Sequence, residues 1–352
     1  MKNPVHNIYI HVPFCMSKCN YCAFFSRACS NPDWGEYADG ICREIMAWSE
    51  KLGRISVPTI FFGGGTPSLM PVMVFDKIMT QIHNYFDVVQ NAEITLESNP
   101  GTLDFGRLRD FMVGGVNRLS VGCQSLSDKK LQFLGRRHGV TDAIKLLDLA
   151  QNLGLRTSAD FIYGLPGDSA DSVRDLCEQI NKLGLQHCSL YELTLEPDTP
   201  FGKMNLAMPD NDTMAQMYTT IGDTLNLPRY EVSNYATTGN ECRHNQNIWD
   251  GEAYIGLGRG AAGRVNIDGQ WYEQLGANGR FEQISPATRA TEMLITGMRT
   301  MRGCRLTDDV KNVIDMDWVK SNSDLVQMDE TRIRATNQGL LILDDVLVKL
   351  VK

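Results

Sequence analysis

The chain lacks several features that would assign it quickly. It has no run of about eighteen apolar residues, the length a spanning helix needs, so no transmembrane segment is expected. No charged start followed by an apolar stretch and a small-residue cleavage site is visible, so no signal peptide is expected either. Positive charge is not in excess: 34 Lys and Arg stand against 42 Asp and Glu, a net charge of −8. A general nucleic-acid binder needs a basic surface, and that class is set aside. There is no internal repeat and no low-complexity linker. Ten cysteines without a sign of export point to reduced thiols and metal chemistry rather than a disulfide framework. A cytoplasmic location is expected, with peripheral membrane contact left open.

What is present begins with Cys15, Cys19 and Cys22, in the run His11-Val12-Pro13-Phe14-Cys15-Met16-Ser17-Lys18-Cys19-Asn20-Tyr21-Cys22. This C-x3-C-x2-C spacing lets one tight loop offer three thiolates to a single iron–sulfur cluster. Such clusters usually take four cysteines, so three leave one iron open to a substrate or cofactor. Zinc is the plainer alternative, with His11 completing a tetrahedral set. Cys29 is near enough to be a fourth cluster ligand, but the turn Ser30-Asn31-Pro32-Asp33 follows it and it is read as a spare thiol. The other cysteines sit in regular segments, where buried free thiols are ordinary.

A chain of 352 residues can bury a large core and is expected to form one large domain and a smaller one. Strand patterns fall at Ile8–Val12, Thr59–Phe62, Glu93–Glu97, Arg118–Val121, Arg156–Ile162 and His187–Leu193. Helical periodicity separates them, at Trp34–Lys51, Val74–Phe86, Asp104–Met112, Thr141–Leu153 and Asp171–Leu183. Gly114, Gly154 and Gly184 stand where C-cap glycines close helices. Repeated strand–helix units predict an α/β fold with a parallel sheet, either doubly wound or an incomplete barrel. Ligands in such folds bind at the carboxyl ends of the strands. There the chain carries Gly63-Gly64-Gly65-Thr66-Pro67, Glu97-Ser98-Asn99-Pro100, Gly122-Cys123-Gln124-Ser125, Asp160 ahead of Tyr163-Gly164-Leu165-Pro166-Gly167, and Tyr191-Glu192. Each has a dull explanation alone, a turn or a helix-start carboxylate. Their shared rim with the cysteine loop makes a ligand site the better reading.

The cysteine segment resembles the radical S-adenosylmethionine (SAM) superfamily. His-Val-Pro-Phe-Cys, Phe-Gly-Gly-Gly-Thr-Pro-Ser, Gly-Cys-Gln-Ser and Asp-Phe-Ile-Tyr-Gly-Leu-Pro-Gly extend the resemblance to its heme-chaperone (HemW) branch, from Tyr9 almost to the C-terminus. The resemblance implies an incomplete (βα)6 barrel followed by a smaller, mostly helical domain. It implies a 4Fe–4S cluster on Cys15, Cys19 and Cys22, with S-adenosylmethionine chelating the open iron and cleaved there to a deoxyadenosyl radical. It further implies that Tyr9 and Tyr21 flank the cluster and cofactor and that Gly64, Gly65 and Thr66 meet its amino-acid end. Glu97 would accept from the ribose, and Gln124, Arg136 and Asp160 would contact polar parts. Glu192 and Ala262 match less tightly. The neighbouring HemN branch, oxygen-independent coproporphyrinogen III dehydrogenases, carries a further cysteine where this chain has Phe24, and a long N-terminal extension. Only fourteen residues precede Cys15 here. Both departures imply heme binding and transfer to acceptor proteins, those of the respiratory chain among the conceivable ones, and not coproporphyrinogen oxidation. The tetrapyrrole enzyme is the alternative from another class, and a structural zinc or iron–sulfur protein is the third.

Cys242-Arg243-His244-Asn245-Gln246-Asn247-Ile248-Trp249 is similar to the His-Asn-x-x-Tyr-Trp motif linked to heme in that branch, with Ile248 in the tyrosine position. An imidazole from His244 or a thiolate from Cys242 would ligate iron, and Trp249 would pack on the macrocycle. The bland reading is that His244 and Asn245 bond a loop to the barrel. Gly258-Arg259-Gly260-Ala261-Ala262-Gly263 satisfies G-x-G-x-x-G but lies outside a strand–helix–strand unit, so a nicotinamide site is not expected. From Pro286 on, helical stretches, a short strand Arg332–Ala335 and an amphipathic helix from Leu340 to Val351 suggest a winged-helix-like domain with a protein-contact or lid role. The expected divisions are 1–235, 236–285 and 286–352, the last break falling between Gly269 and Ser285, around Gly276-Ala277-Asn278-Gly279.

Overall fold

A computed structural model describes residues 5–276 and 280–352, so most of the segment around which the last break is expected, 277–279, lies outside the described residues. Six strands form its centre: β1 (Asn7–Val12), β2 (Ser56–Gly64), β3 (Asp87–Ser98), β4 (Arg118–Gln124), β5 (Arg156–Tyr163) and β6 (His187–Glu192). Each pairs in parallel with the next. Helices cross between them: α1 (Trp34–Leu52), α2 (Val72–Tyr85), α3 (Phe105–Val113), α4 (Asp128–Leu134), α5 (Val140–Asn152) and α6 (Ala170–Lys182). The strand ends of the sheet do not pair with each other, so this is an open, incomplete (βα)6 barrel. Its strands are buried on the helix-facing side by β-branched and aromatic residues such as Ile8, Ile10, Ile60 and Phe62, all fully covered.

Local chemistry sets the helix limits. Asp33, Asp104 and Ser169 accept backbone N–H groups in the first turns of α1, α3 and α6. Gly154 and Gly184 adopt left-handed φ of 77° and 62° after α5 and α6. Gly114 differs from expectation: its φ is −73°, and the left-handed residue is Gly115 at 111°. A Cβ at Gly114 would stand 2.7 Å from Phe75, so packing against α2 is what this glycine provides.

The sheet runs further than the periodicity predicts. Strands Asn234–Ala236 and Arg229–Glu231 extend it antiparallel beyond β6. On the other side Tyr254–Leu257 joins β1 in parallel and leads into an antiparallel meander, Gly263–Ile267, Gln270–Leu275 and Arg280–Gln283. These strands are polar and at most partly buried over much of their length, with no apolar alternation sustained along them, which is why sequence reading missed them. The G-x-G-x-x-G run is the turn between Tyr254–Leu257 and Gly263–Ile267, with no helix behind it, so the context of a dinucleotide site is missing.

Residues from 290 onward have their own apolar cluster, including Leu294, Met298, Ile333, Val346 and Leu350. Helices pack there on a three-stranded antiparallel sheet of Cys304–Arg305, Arg332–Ala335 and Val326–Met328. In the main core Phe75 on α2 is fully buried between Phe62 and Phe111, at ring distances of 5.0 and 5.3 Å. Phe75→Ala should lower stability to urea by about 3–5 kcal/mol, the cost of emptying an aromatic core position. A loss under 1 kcal/mol would show that this helix–sheet contact does not anchor the barrel.

Candidate functional site

At the carboxyl ends of β1–β6 lies a pocket of about 360 Å³. The loop after β1 supplies its roof: Cys15, Cys19 and Cys22 all line it, as free thiols, together with Tyr21. The loop is fixed by backbone bonds to the end of β2. Gly65 N–H donates to Val12 O and Thr66 N–H to Phe14 O, both at 2.8 Å. A Cβ on Gly65 would come 2.6 Å from Phe14 O and 3.0 Å from Cys15 Sγ, and one on Gly64 (φ 113°) 2.6 Å from the His11 ring. Glycine is required at both positions by this close approach.

Glu97, Gln124, Arg136, Asp160 and Glu192 complete the wall. Gln124 reaches it from a left-handed φ of 67°, unusual for a residue with a side chain, which turns the end of β4 into the pocket. Arg136 is held by Gly122 O at 2.7 Å, by Asn99 Oδ1, and reaches Cys19 Sγ at 3.5 Å. Asn99 in turn donates to Thr66 Oγ1 at 2.9 Å. Glu97 accepts from Gly64 N–H at 3.0 Å, and Asp160 from the Ser120 hydroxyl at 2.9 Å. Burial pushes the Glu97 pKa up to about 8, with the Asp160 charge adding to the rise and the Gly64 N–H opposing it. Burial also raises Asp160. Two acceptors thus face the pocket under conditions that favour receiving donors.

Not every expected residue arrives there. Thr66 is 2% exposed and acts from behind, through Asn99. Tyr9 and Ala262 do not line the pocket; Tyr9 belongs to a second cavity below it, and Ala262 lies in the turn after Tyr254–Leu257. Cys29 also stays outside. Asn99 lay in the expected rim segment without a role of its own, and Ser120 was missed, signalled only by its inward register on β4.

The second cavity, about 310 Å³, shares Glu97, Ser120, Asp160 and Tyr191 with the first and is bounded below by the helix α7 (Arg243–Trp249). Glu93 holds this helix: its Oε1 accepts from His244 N–H at 2.9 Å and contacts Cys242 Sγ at 3.7 Å. The Thr59 hydroxyl donates to Asn7 Oδ1 at 2.8 Å, so it accepts from His244 Nδ1–H at 2.7 Å and leaves Nε2 with a bare lone pair. That nitrogen has no partner, and burial lowers the imidazole pKa to about 3, keeping it neutral. Trp249 packs toward Tyr230 and does not line the cavity. Of the three expected heme-side residues, Cys242 and His244 therefore line this one cavity, while Trp249, at the end of the helix, lies outside it.

His11 cannot complete a zinc site as placed, because Nε2–H donates to Phe25 O at 2.7 Å and Nδ1 accepts from Tyr9 at 3.0 Å. Among the described residues, no three metal-ligating side chains are gathered as a single ion requires. A cluster that takes each thiolate at a different iron makes no such demand, and three free thiols on one pocket wall suit it.

The sequence matches the Radical SAM superfamily over residues 9–180. It is 38% identical to "Heme chaperone HemW" of Escherichia coli over 76% of this chain and 72% of that protein. It is 35% identical to the protein of the same name in Synechocystis over 84% and 78%. With "Radical S-adenosyl methionine domain-containing protein 1, mitochondrial" of Danio rerio it shares 30% identity over 97% and 86%. The solved coproporphyrinogen III oxidase HemN of Escherichia coli superposes with a TM-score of 0.82 at 18% identity, covering 99% of this chain and 90% of that one, a likeness of fold.

The Glu97 environment has a pH signature in cofactor-free protein. A carboxyl raised from 4.5 to about 8 stabilises the fold fully below pH 4.5, and that contribution is lost as pH rises through about 8. Thermal melting from pH 5 to 9 should therefore show wild type losing stability relative to Glu97→Gln. Parallel curves for the two proteins would mean that Glu97 stays ionised.

Proposed function

We propose, from the premise that this chain belongs to the HemW family of the radical SAM superfamily, that it binds heme and hands it to acceptor proteins, with a 4Fe–4S cluster and S-adenosylmethionine in the barrel pocket. The observation that carries the reading is the single pocket in which Cys15, Cys19 and Cys22 share a wall with Gly64, Gly65, Glu97 and Arg136. When bound, the cluster and sulfonium supply one-electron chemistry. The chain's residues hold and orient them. Three thiolates take three irons. Gly64 and Gly65 let backbone groups approach the amino-acid end. Glu97 accepts hydrogen bonds from the ribose hydroxyls, Gln124 and Asp160 contact other polar parts, and Tyr21 flanks the cluster and cofactor. Arg136 sets a positive charge beside Cys19.

No described helix is long and apolar enough to cross a membrane, and we place the protein in the cytoplasm. We also propose the division at 285/286, whereas the one expected at 235/236 falls inside the strand Asn234–Ala236 of the barrel sheet. Asp344 of the last segment stands near enough to Glu192 to help raise its carboxyl pKa, after burial, which favours a rim-covering role for that segment.

Anaerobic reconstitution should load about four irons per chain and give a reduced-cluster EPR signal that shifts when S-adenosylmethionine is added. Alanine at Cys15, Cys19 or Cys22 should abolish it, and Cys29→Ala should leave it. Stoichiometric zinc without a cluster would sink the reading.

In calorimetry, Glu97→Ala should weaken S-adenosylmethionine binding by about 1.5–3 kcal/mol at unchanged iron content. The loaded protein should bind hemin yet leave coproporphyrinogen III unchanged under reducing, anaerobic conditions. Robust decarboxylation would favour a tetrapyrrole enzyme instead.

A further inference from the structure

The larger cavity lies outside the barrel. A cleft of about 650 Å³ runs between the cysteine loop, the face of α1 and the turn at Gly258-Arg259. On its loop side Phe24 is 66% exposed and Phe25 43%, adjacent aromatic rings left in water by an otherwise ordinary surface. Lys18 ties the loop into this shape, donating to Phe24 O at 3.2 Å and Ser26 O at 3.3 Å. Lys18, Ala23, Phe24 and Ser26 line both this cleft and the pocket of the three cysteines, so one strip of loop separates the two.

Charge in the cleft is asymmetric in its commitments. Each of its three acids already has a partner: Asp33 accepts the Glu36 N–H at 2.9 Å, Glu36 pairs with Arg43 at 2.8 Å, and Glu44 accepts the Gly258 N–H at 2.8 Å. The two arginines have none. Arg27 lies 5.4 Å over the Phe14 ring and Arg259 5.6 Å over Phe25, and neither has a carboxylate within ion-pair distance among the described residues. The cleft therefore offers apolar ring faces beside two uncommitted guanidinium groups, which pair well with carboxylates.

We propose that this outer cleft is where heme docks, its macrocycle against Phe24 and Phe25 and its two propionates on Arg27 and Arg259. This rests on the heme-carrier reading above. No histidine, cysteine or methionine side chain lines the cleft, and the Tyr37 hydroxyl is committed to His11 O at 3.0 Å, so the protein leaves the iron to be claimed by a ligand of the acceptor. Holding by stacking and ion pairs, without a bond to iron, suits a molecule that must release its load. The barrel-floor cavity is the less fitting place: His244 is 2% exposed there, on a helix anchored by Glu93.

Hemin titration followed by the Soret band tests this with four proteins: wild type, Phe24→Ala/Phe25→Ala, Arg27→Glu/Arg259→Glu, and His244→Ala. The substituted cleft side chains are exposed, and circular dichroism checks folding. Each cleft double variant should bind hemin at least about tenfold more weakly, and His244→Ala should match wild type. Hemin dimethyl ester, with its carboxylates capped, should bind wild type and the arginine variant alike. Wild-type affinity in both cleft variants, with hemin bound by the parent, would overturn the cleft while leaving the carrier reading intact. A loss confined to His244→Ala would overturn it in favour of the barrel floor. Failure of the wild type to bind hemin at all would remove the carrier reading itself, and the cleft with it.

Discussion

The site depends on how closely two pieces of backbone can approach. The loop after β1 lies on the end of β2 through the Gly65–Val12 and Thr66–Phe14 bonds, each 2.8 Å long. That contact leaves no space for a Cβ at Gly65, which would sit 2.6 Å from a carbonyl oxygen. It turns a flexible cysteine-bearing loop into a fixed roof over the barrel. It also points Phe24 and Phe25 outward, because the same short loop cannot cover them once its thiols face in. Both faces of the loop are thus set by one backbone junction.

Beneath that roof, polar groups are arranged as a supported layer. Arg136 reaches Cys19 because Gly122 and Asn99 hold it, and Asn99 is itself steadied on Thr66. Glu97 and Asp160 carry raised pKa values for want of solvent, a cost in the empty protein that donors from a bound ligand would offset. Such strain is ordinary at a binding site. The left-handed Gln124 belongs to the same pattern, one costly backbone angle at the end of a strand that faces a ligand.

The floor of the barrel is built differently. Its helix is short and would be marginal alone, and Glu93, Thr59 and Asn7 hold it through a chain of hydrogen bonds that also sets the His244 tautomer. A neutral imidazole with a bare nitrogen remains there, facing the same cavity as Asp160 and Tyr191. The outer cleft is accessible by contrast, with exposed rings beside two arginines that have no carboxylate partner among the described residues. These two environments divide the chemistry of the chain between an enclosed polar interior and an open surface.

Much of this was legible in residues read in order. The six strands were found because parallel strands buried on both faces are dense in β-branched and aromatic residues, and the helices because capping groups and periodicity are local. The cysteine spacing, the glycine run after β2 and Glu97 at the end of β3 were visible for the same reason: their chemistry needs only neighbouring residues. What local pattern does not encode is which way a side chain faces once distant segments pack. Only the tertiary structure put Thr66 and Tyr9 behind the pocket, left Ala262 outside it, and separated Trp249 from His244. Only it brought residue 259 against residues 24–27 and α1 to make the cleft. Side-chain direction and burial follow from contacts across hundreds of residues, and those exist only in the folded chain.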